Sequence, residues 1–546
     1  MFSGFALWKK VSAGEIACVA LLLTLFGFSR VPFFCANWEL NPDESQMLAQ
    51  AMRFEANMTP WQSVDGATSG PINSWFLVFE HKLGAPYNYH TAHVTGALLM
   101  AVTMFLGWLT IRRLIGSGPA MVSFFLAVLW MSCSLNSDFC HYSSELIPSL
   151  LIVLGLCLAC HGLSQHKNES CFLFLSGFAL GCVPWAKLQG AVIALAVGLW
   201  IISFLVYRYY KSPDRPSFVF PIFFISLGAV LPAALLFGWL LKAGVFSYFW
   251  SSYFEANLAY AGDRTWAMIG HDALLLLRHT MPASVMIMVI GTVFVRNARP
   301  FWRASPVVLA LSLVLLLCSL IAVLRPDAQL RHYQILLLTP FQLFTAILIA
   351  PLLQYNIHAK MLEANEKRQL MVLFVLAIFV LVLPLYRTIG FGYQAYCDIF
   401  LLKGEGPKRE LVTSFVGASV SSGEPIAIWG HAPFLYVSLG CMPAARMVSP
   451  PLGCRTTPSS FSLSDYYLMD LNVSQPRYIV KIDDALWHFF HHMFKSDQVA
   501  LAFEAYVAKN YSLERQKTYI AEDGSLIKVQ LYKRSENKEA LLSNSE

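Results

Sequence analysis

Two adjacent acids, Asp43 and Glu44, stand in the stretch NPDES, just after the first long apolar run of the chain. Three further places set reactive side chains at the edge of an apolar run: Glu145 in HYSSELIPSLL, Lys187 in VPWAKLQGAVIALAVG, and Arg331, His332 and Tyr333 in RPDAQLRHYQILLLTP. A carboxylate can take a proton from a hydroxyl or amine, and lysine or arginine can hold a phosphate, arginine in bidentate fashion. Each position also has a plainer reading. Asn41 suits a helix cap, Pro42 the first helical position, and Glu44, three residues after the cap, completes a capping box; the two acids then start a helix and complement its dipole. Glu145 behind Ser143 or Ser144 reads the same way, Lys187 reads as a lysine snorkelling at a membrane boundary, and Arg331 with Tyr333 as interfacial anchors. An ionisable residue opening an apolar helix is nevertheless costly unless it faces a wet cavity or a partner.

The elements that must position these residues are membrane helices. The chain has 546 residues, 56% hydrophobic and only 13% charged, with a mean hydropathy of +0.54. This is the balance of a polytopic membrane protein rather than a soluble domain. The net charge of +6 does not indicate nucleic acid, because the basic residues lie in short clusters between apolar runs. A span needs roughly 20 mostly apolar residues. Eleven candidates are centred on residues 14–33, 91–110, 117–133, 144–162, 170–184, 189–207, 217–240, 272–294, 304–323, 334–353 and 369–387, the fifth being the shortest. No small-residue cleavage site follows Phe28, so the first is read as a retained helix. With the start in the cytoplasm, the clusters Arg112–Arg113, Arg208–Lys211–Arg215, Arg296–Arg299–Arg303 and Lys360–Lys367–Arg368 all fall inside. The positive-inside rule supports that orientation. It puts Asp43, Glu44 and everything after Arg387 outside the cytoplasm. No glycine-rich phosphate loop is present, so an activated substrate is expected to arrive in the lipid.

The first outer loop, residues 35–90, reads as a helix from the NPDES stretch to about Thr59, then a second segment, GPINSWFLVFEHKLG, with Trp75, Phe76, Phe79 and Leu83 on one side. That segment is expected to lie in the membrane interface. The aromatic connection VFSYFWSSYFEANLAYAGDRTW suits an acceptor or lipid platform and equally an aromatic belt; Glu255, Asp263 and Arg264 are its polar candidates. Beyond Arg387, the strand-like runs IAIWG, RYIVKI and IKVQLYKR and a helix near DQVALAFEAYVAKNY predict a small α/β domain. His431 has no evident sequence partner and reads as structural, and the cluster His488, His491 and His492 has helical spacing open to metal or to packing. Cys133 with Cys140, and Cys441 with Cys454, are placed where disulfides can form.

The series PDE, then a helix, then GPINSW, then LG before the second span resembles the first outer loop of the GT-C integral-membrane glycosyltransferases. It is most similar to the branch of protein O-mannosyltransferases and the lipid A aminoarabinose transferase. The stretches around Glu145, Lys187 and Arg331–Tyr333 resemble the same family, and the segment WGHAPFLYVSLGCMPAARM resembles its outer domain. The resemblance implies a fold of about eleven transmembrane helices with a small C-terminal α/β extracytoplasmic domain, divided as residues 1–390, 391–534 and a polar tail 535–546. It implies sugar transfer from a polyprenyl-phosphate donor to an extracytoplasmic glycolipid, polysaccharide or protein, in a bacterial inner membrane. It further implies catalytic roles for Asp43, Glu44 and Glu145, substrate binding by Lys187, Arg331, His332 and Tyr333, and room for a divalent metal ion near Asp43. Two other classes stay open on the sequence: a polytopic transporter or lipid flippase, and a non-catalytic subunit of the same architecture.

Overall fold

The computed structural model describes residues 11–164, 168–211, 217–258, 265–279, 306–326, 331–356, 405–448, 463–483, 497–520 and 526–535, with 386 and 390. The expected span 369–387, most of 272–294, and Asp263, Arg264, Asp327, Cys454 and the histidines 488, 491 and 492 lie outside the described residues, apart from the single residue 386. The chain divides into two compact units. One comprises Met1–Cys35, His93–Leu236 and Asp263–Cys397; the other comprises Ala36–Ala92, Phe237–Gly262 and Asp398–Glu546.

The helices in chain order are α1 (Ala13–Cys35), α2 (Pro42–Ala56), α3 (Pro71–Lys82), α4 (Tyr89–Leu114), α5 (Ser117–Cys133), α6 (Leu146–Ser164), α7 (Glu169–Ala186), α8 (Ala191–Lys211), α9 (Val219–Lys242), α10 (Phe246–Phe249), α11 (Trp266–His279), α12 (Pro306–Leu324) and α13 (Leu338–Asn356). Among the described residues, 8 helical segments are long and apolar enough to cross a membrane, and α5, at 17 residues, is a shorter apolar helix in the third expected position. The chain is a multi-pass α-helical membrane protein. The segment read as least secure, the fifth, is the 18-residue helix α7.

The membrane unit packs by close backbone approach. A Cβ added at Gly177 or Gly181 of α7 would fall 2.1 Å from the Ile225 carbonyl or 2.3 Å from the Ala229 carbonyl of α9. This is the spacing by which small residues let membrane helices meet when no hydrophobic force drives them together. Arg30, 1% exposed within α1, donates from its two terminal nitrogens to the carbonyls of Met131 at 2.8 Å and Ser134 at 3.0 Å. Its guanidinium also meets the Cys140 thiol at 2.7 Å, and Cys133 and Cys140 are both free. The pairing that sequence position allowed is therefore not formed; Cys140 is turned to the arginine instead.

The second unit is built on a five-stranded sheet of order β2-β1-β3-β5-β4, with β1 (Pro425–Trp429), β2 (Met442–Pro443), β3 (Tyr478–Asp483), β4 (Tyr511–Ile520) and β5 (Leu526–Arg534). Strands β2 and β3 run parallel to β1; β5 is antiparallel to β3 and β4 to β5. The helices of this part are α14 (Glu405–Gly417), α15 (Phe434–Leu439), α16 (Leu463–Ser474) and α17 (Asp497–Asn510). Ala49 of α2 is wholly buried in the same core as Val416, Ile426, Ile428, Leu435 and Val480. The first outer loop is thus an integral part of the sheet unit's core. Arg446 ties the loop further by bonding Asp470 at 2.7 Å and the Trp61 carbonyl at 3.2 Å.

Candidate active site

Helix α2 begins as its sequence dictates. Asn41 takes the extended cap conformation and its side chain accepts the Asp43 N–H at 2.9 Å, while Pro42 fills the first helical position. Glu44 reaches back over the start of the helix, as the acid of a capping box does, and its Oε1 accepts the Leu40 N–H at 2.5 Å. Glu44 is completely buried, whereas Asp43 is half-buried. The two acids are therefore physically distinct, Glu44 closing the turn and Asp43 standing at its accessible edge.

Sequence reasoning missed the company Asp43 keeps. Glu39, 4% exposed, pairs with Arg409 of α14 at 2.9 Å, and the same guanidinium donates to the Glu39 carbonyl at 2.5 Å. Burial pushes the Glu39 carboxyl up, against the pull of Arg409, with Glu44 and Asp43 adding to the rise. Ser45 and Tyr89 share a hydrogen bond at 2.9 Å beneath this group. His431 follows β1 through Gly430, whose φ of +146° and 2.7 Å approach of an added Cβ to the Ile482 carbonyl admit only glycine without strain. Burial holds the His431 imidazole down at about 4, with Asp43 drawing it up and Arg409 pushing it down. The histidine read as having no partner therefore lies within electrostatic reach of Asp43.

The membrane unit gathers a second polar group. Lys187 ends α7, where Pro184 precedes it, and its ammonium lies 2.8 Å from Glu145 Oε1 and 2.7 Å from Ser144 Oγ. Lys187 is 2% exposed and Glu145 not at all. Burial works against the Glu145 charge, but Lys187, His332 and hydrogen bonds from Lys187 and Ser143 outweigh it and hold the carboxyl below its ordinary value. The Tyr333 ring lies 5.1 Å from the ammonium. His332 faces Asp138 at 4.0 Å and meets the His141 ring edge-on at 5.8 Å. The 3-10 turn Arg331–Leu337 is pinned to α6 by Ser149, which donates to the Ile335 carbonyl at 3.2 Å. Arg331 at the head of that turn is exposed.

Of the residues singled out in the sequence, Glu145, Lys187, His332 and Tyr333 are thus brought together, with Arg331 beside them in the chain; Asp43 and Glu44 belong to the other unit. The sequence offered no sign that Lys187 and Glu145 pair, nor that Asp138 and His141 join them. Among the described residues no group of three or more histidine, cysteine or acidic side chains is arranged to hold a metal ion. Around Asp43, one carboxylate oxygen of Glu39 pairs with Arg409, and Glu44 accepts the Leu40 N–H. No step below is routed through a metal ion.

No protein-family model matches the sequence, and no curated protein matches it significantly. Solved structures do. ArnT from Cupriavidus metallidurans bound to undecaprenyl phosphate superposes with a TM-score of 0.55 at 12% identity, covering 95% of this chain and 98% of that one. The apo state of the same protein gives 0.55 at 12% identity, over 94% and 97% of the two chains. The archaeal oligosaccharyltransferase AglB from Archaeoglobus fulgidus, in complex with an inhibitory peptide and a dolichol-phosphate, gives 0.54 at 11% identity, over 96% of this chain and 74% of that one. At these identities the likeness is one of fold.

Proposed function

We propose that this chain, which has the GT-C fold of integral-membrane glycosyltransferases, transfers a sugar from a polyprenyl-phosphate donor to an extracytoplasmic acceptor, a glycolipid, polysaccharide or protein, with inversion. One observation carries the reading: the fold correspondence runs over 95% of this chain and 98% of a structure that holds undecaprenyl phosphate. The buried Glu145–Lys187 pair at 2.8 Å adds support, because a transmembrane protein retains such a costly group where polar chemistry is done. The chain sits in the inner membrane with its N-terminus in the cytoplasm and its sheet unit outside, the orientation that the basic clusters favour.

The reaction needs a base for the acceptor and a cationic seat for the departing phosphate. Asp43 is the base: its carboxylate takes the proton of the acceptor hydroxyl or amine as that atom bonds to the anomeric carbon. The bond from the anomeric carbon to the phosphate oxygen breaks, and its electron pair leaves with the polyprenyl phosphate. Asp43 lies in the first turn of α2, half-buried beside the Asn41 cap. The barrier is then lowered mainly by positioning and by stabilising charge on the phosphate. Arg331, exposed at the head of its turn, supplies a guanidinium fork for that charge. Lys187 already balances Glu145, so it adds dipolar orientation and its hydrogen bonds rather than a whole unspent charge.

The test is a transfer assay in membranes containing the chain and a radiolabelled polyprenyl-phosphate sugar. Label is expected in a glycosidic product. A transporter would move substrate without forming that bond, and a subunit would do neither alone, so label that never leaves the lipid phosphate overturns the reading.

A further inference from the structure

His141 lies between the 3-10 turn Ser137–Phe139 and α6, only 2% exposed. Its Nδ1 is 2.9 Å from the Ser137 carbonyl oxygen, which can only accept, so Nδ1 carries the hydrogen. The ring's other nitrogen, Nε2, is then an acceptor when the ring is neutral and a donor when it is charged. That atom is buried and has no hydrogen-bond partner among the described residues. A buried polar atom left so carries a desolvation cost that a ligand can remove.

The polar groups around it are engaged with one another. Glu145 and Lys187 pair at 2.8 Å, with Ser144 on the ammonium and Ser143 on the carboxylate. His332 sits edge-on to His141 and faces Asp138; Tyr333 covers Lys187, and Arg331 opens the same turn. Helix α4 passes against the His141 carbonyl at Gly96, one turn from His93, whose Nδ1 meets the Phe33 carbonyl at 2.9 Å. Among the described residues, His141 Nε2 is thus an atom of this cluster with hydrogen-bonding capacity left for a ligand.

We propose that His141 is a ligand-contacting residue whose Nε2 takes a terminal oxygen of a phosphate monoester, the group left on the lipid after transfer, and shares one proton with it. The inference rests on the function proposed above and adds to it a residue and a proton. A donor phosphodiester carries one negative charge and offers no titrating oxygen, whereas the monoester product gains a second ionisation near ~6. One proton between Nε2 and that oxygen serves whether it resides on the ring or on the phosphate. Loss of the proton at higher pH leaves two acceptors facing each other, so the monoester is released more readily as pH rises.

The experiment measures binding of farnesyl phosphate and of inorganic phosphate to the detergent-purified full chain between about pH 6 and pH 8, for wild type and for His141→Asn. The asparagine amide can still donate to the Ser137 carbonyl, so the turn is kept while Nε2 is removed; an unchanged melting temperature verifies this. Wild type is expected to bind farnesyl phosphate at least about tenfold more tightly at the acid end, and His141→Asn to lose about tenfold or more there with a flattened pH profile, as fits a hydrogen bond to a charged group. Inorganic phosphate showing the same profile supports the shared phosphate chemistry, and binding of the farnesyl compound alone supports a lipid-borne phosphate. Equal affinity and profile in wild type and His141→Asn overturn the role of His141 while leaving the transferase reading standing. Wild-type protein that binds neither compound overturns both.

Discussion

Removing one member of the buried Glu145–Lys187 pair is expected to cost far more than removing both. The two charges are 2.8 Å apart at 0% and 2% side-chain exposure, so their attraction is about 6 kcal/mol at an effective dielectric near 20. Desolvation of each ion offsets most of that, which makes the net value of the intact pair small. Glu145→Gln or Lys187→Met alone strands the other charge in the membrane unit, and each is expected to destabilise by about 3–5 kcal/mol. Glu145→Gln should fall toward the lower end, since Ser144 still accepts from the ammonium at 2.7 Å. The double variant has no stranded charge and should recover about 3 kcal/mol of the summed loss. Equilibrium unfolding in mixed micelles across the four proteins measures that coupling. Effects that add to within about 0.5 kcal/mol would show that the pair is not closed in the native protein, and the polar group described here would lose its centre.

Three further outcomes follow from the second unit. Asn41→Ala should cost about 1 kcal/mol of stability by removing the cap, read as a lower melting temperature, while transfer activity at permissive temperature stays near wild type. Gly430→Ala should destabilise by about 2 kcal/mol, measured the same way, because its φ of +146° and the 2.7 Å approach to the Ile482 carbonyl both resist a side chain. Burial lowers His431 from 6.5 to about 4, so between those values the unfolded chain binds the extra proton and the folded chain does not. Stability is therefore expected to rise with pH across that window, by up to about 3 kcal/mol, and to be lost as pH falls toward 4. His431→Gln should remove this part of the acid sensitivity; an unchanged pH–stability curve would show that the imidazole is not buried neutral.

Local features were legible and non-local ones were not. The cap at Asn41, the helix that follows it and the strands β1, β3 and β5 are written in short-range patterns of capping residues and apolar alternation. Strand β4 was missed because nearly all of Tyr511–Ile520 is exposed and its pairing slips between Leu513 and Arg515, so it lacks a clean inward face. β2 is only two residues long. At the site, residue types drew attention to Glu145 and Lys187 separately, but only the fold shows that they neutralise each other. His141 and Asp138 carry no signal beyond their place near Glu145, and Glu39, Arg409 and His431 gain meaning only because the sheet unit brings them to the start of α2. The same non-locality explains the cysteines: Arg30, distant in sequence, takes the thiol that spacing offered to Cys133.

The central claim is that Asp43 performs the chemistry that Glu44 merely holds in place. It is tested most directly by the rate of sugar transfer from a radiolabelled polyprenyl-phosphate donor in membranes carrying Asp43→Asn at wild-type level. Loss of a general base predicts a fall of about 100-fold or more, with the melting temperature unchanged because Asn41 and Glu44 still close the helix start. Near-normal transfer by this variant would contradict the account.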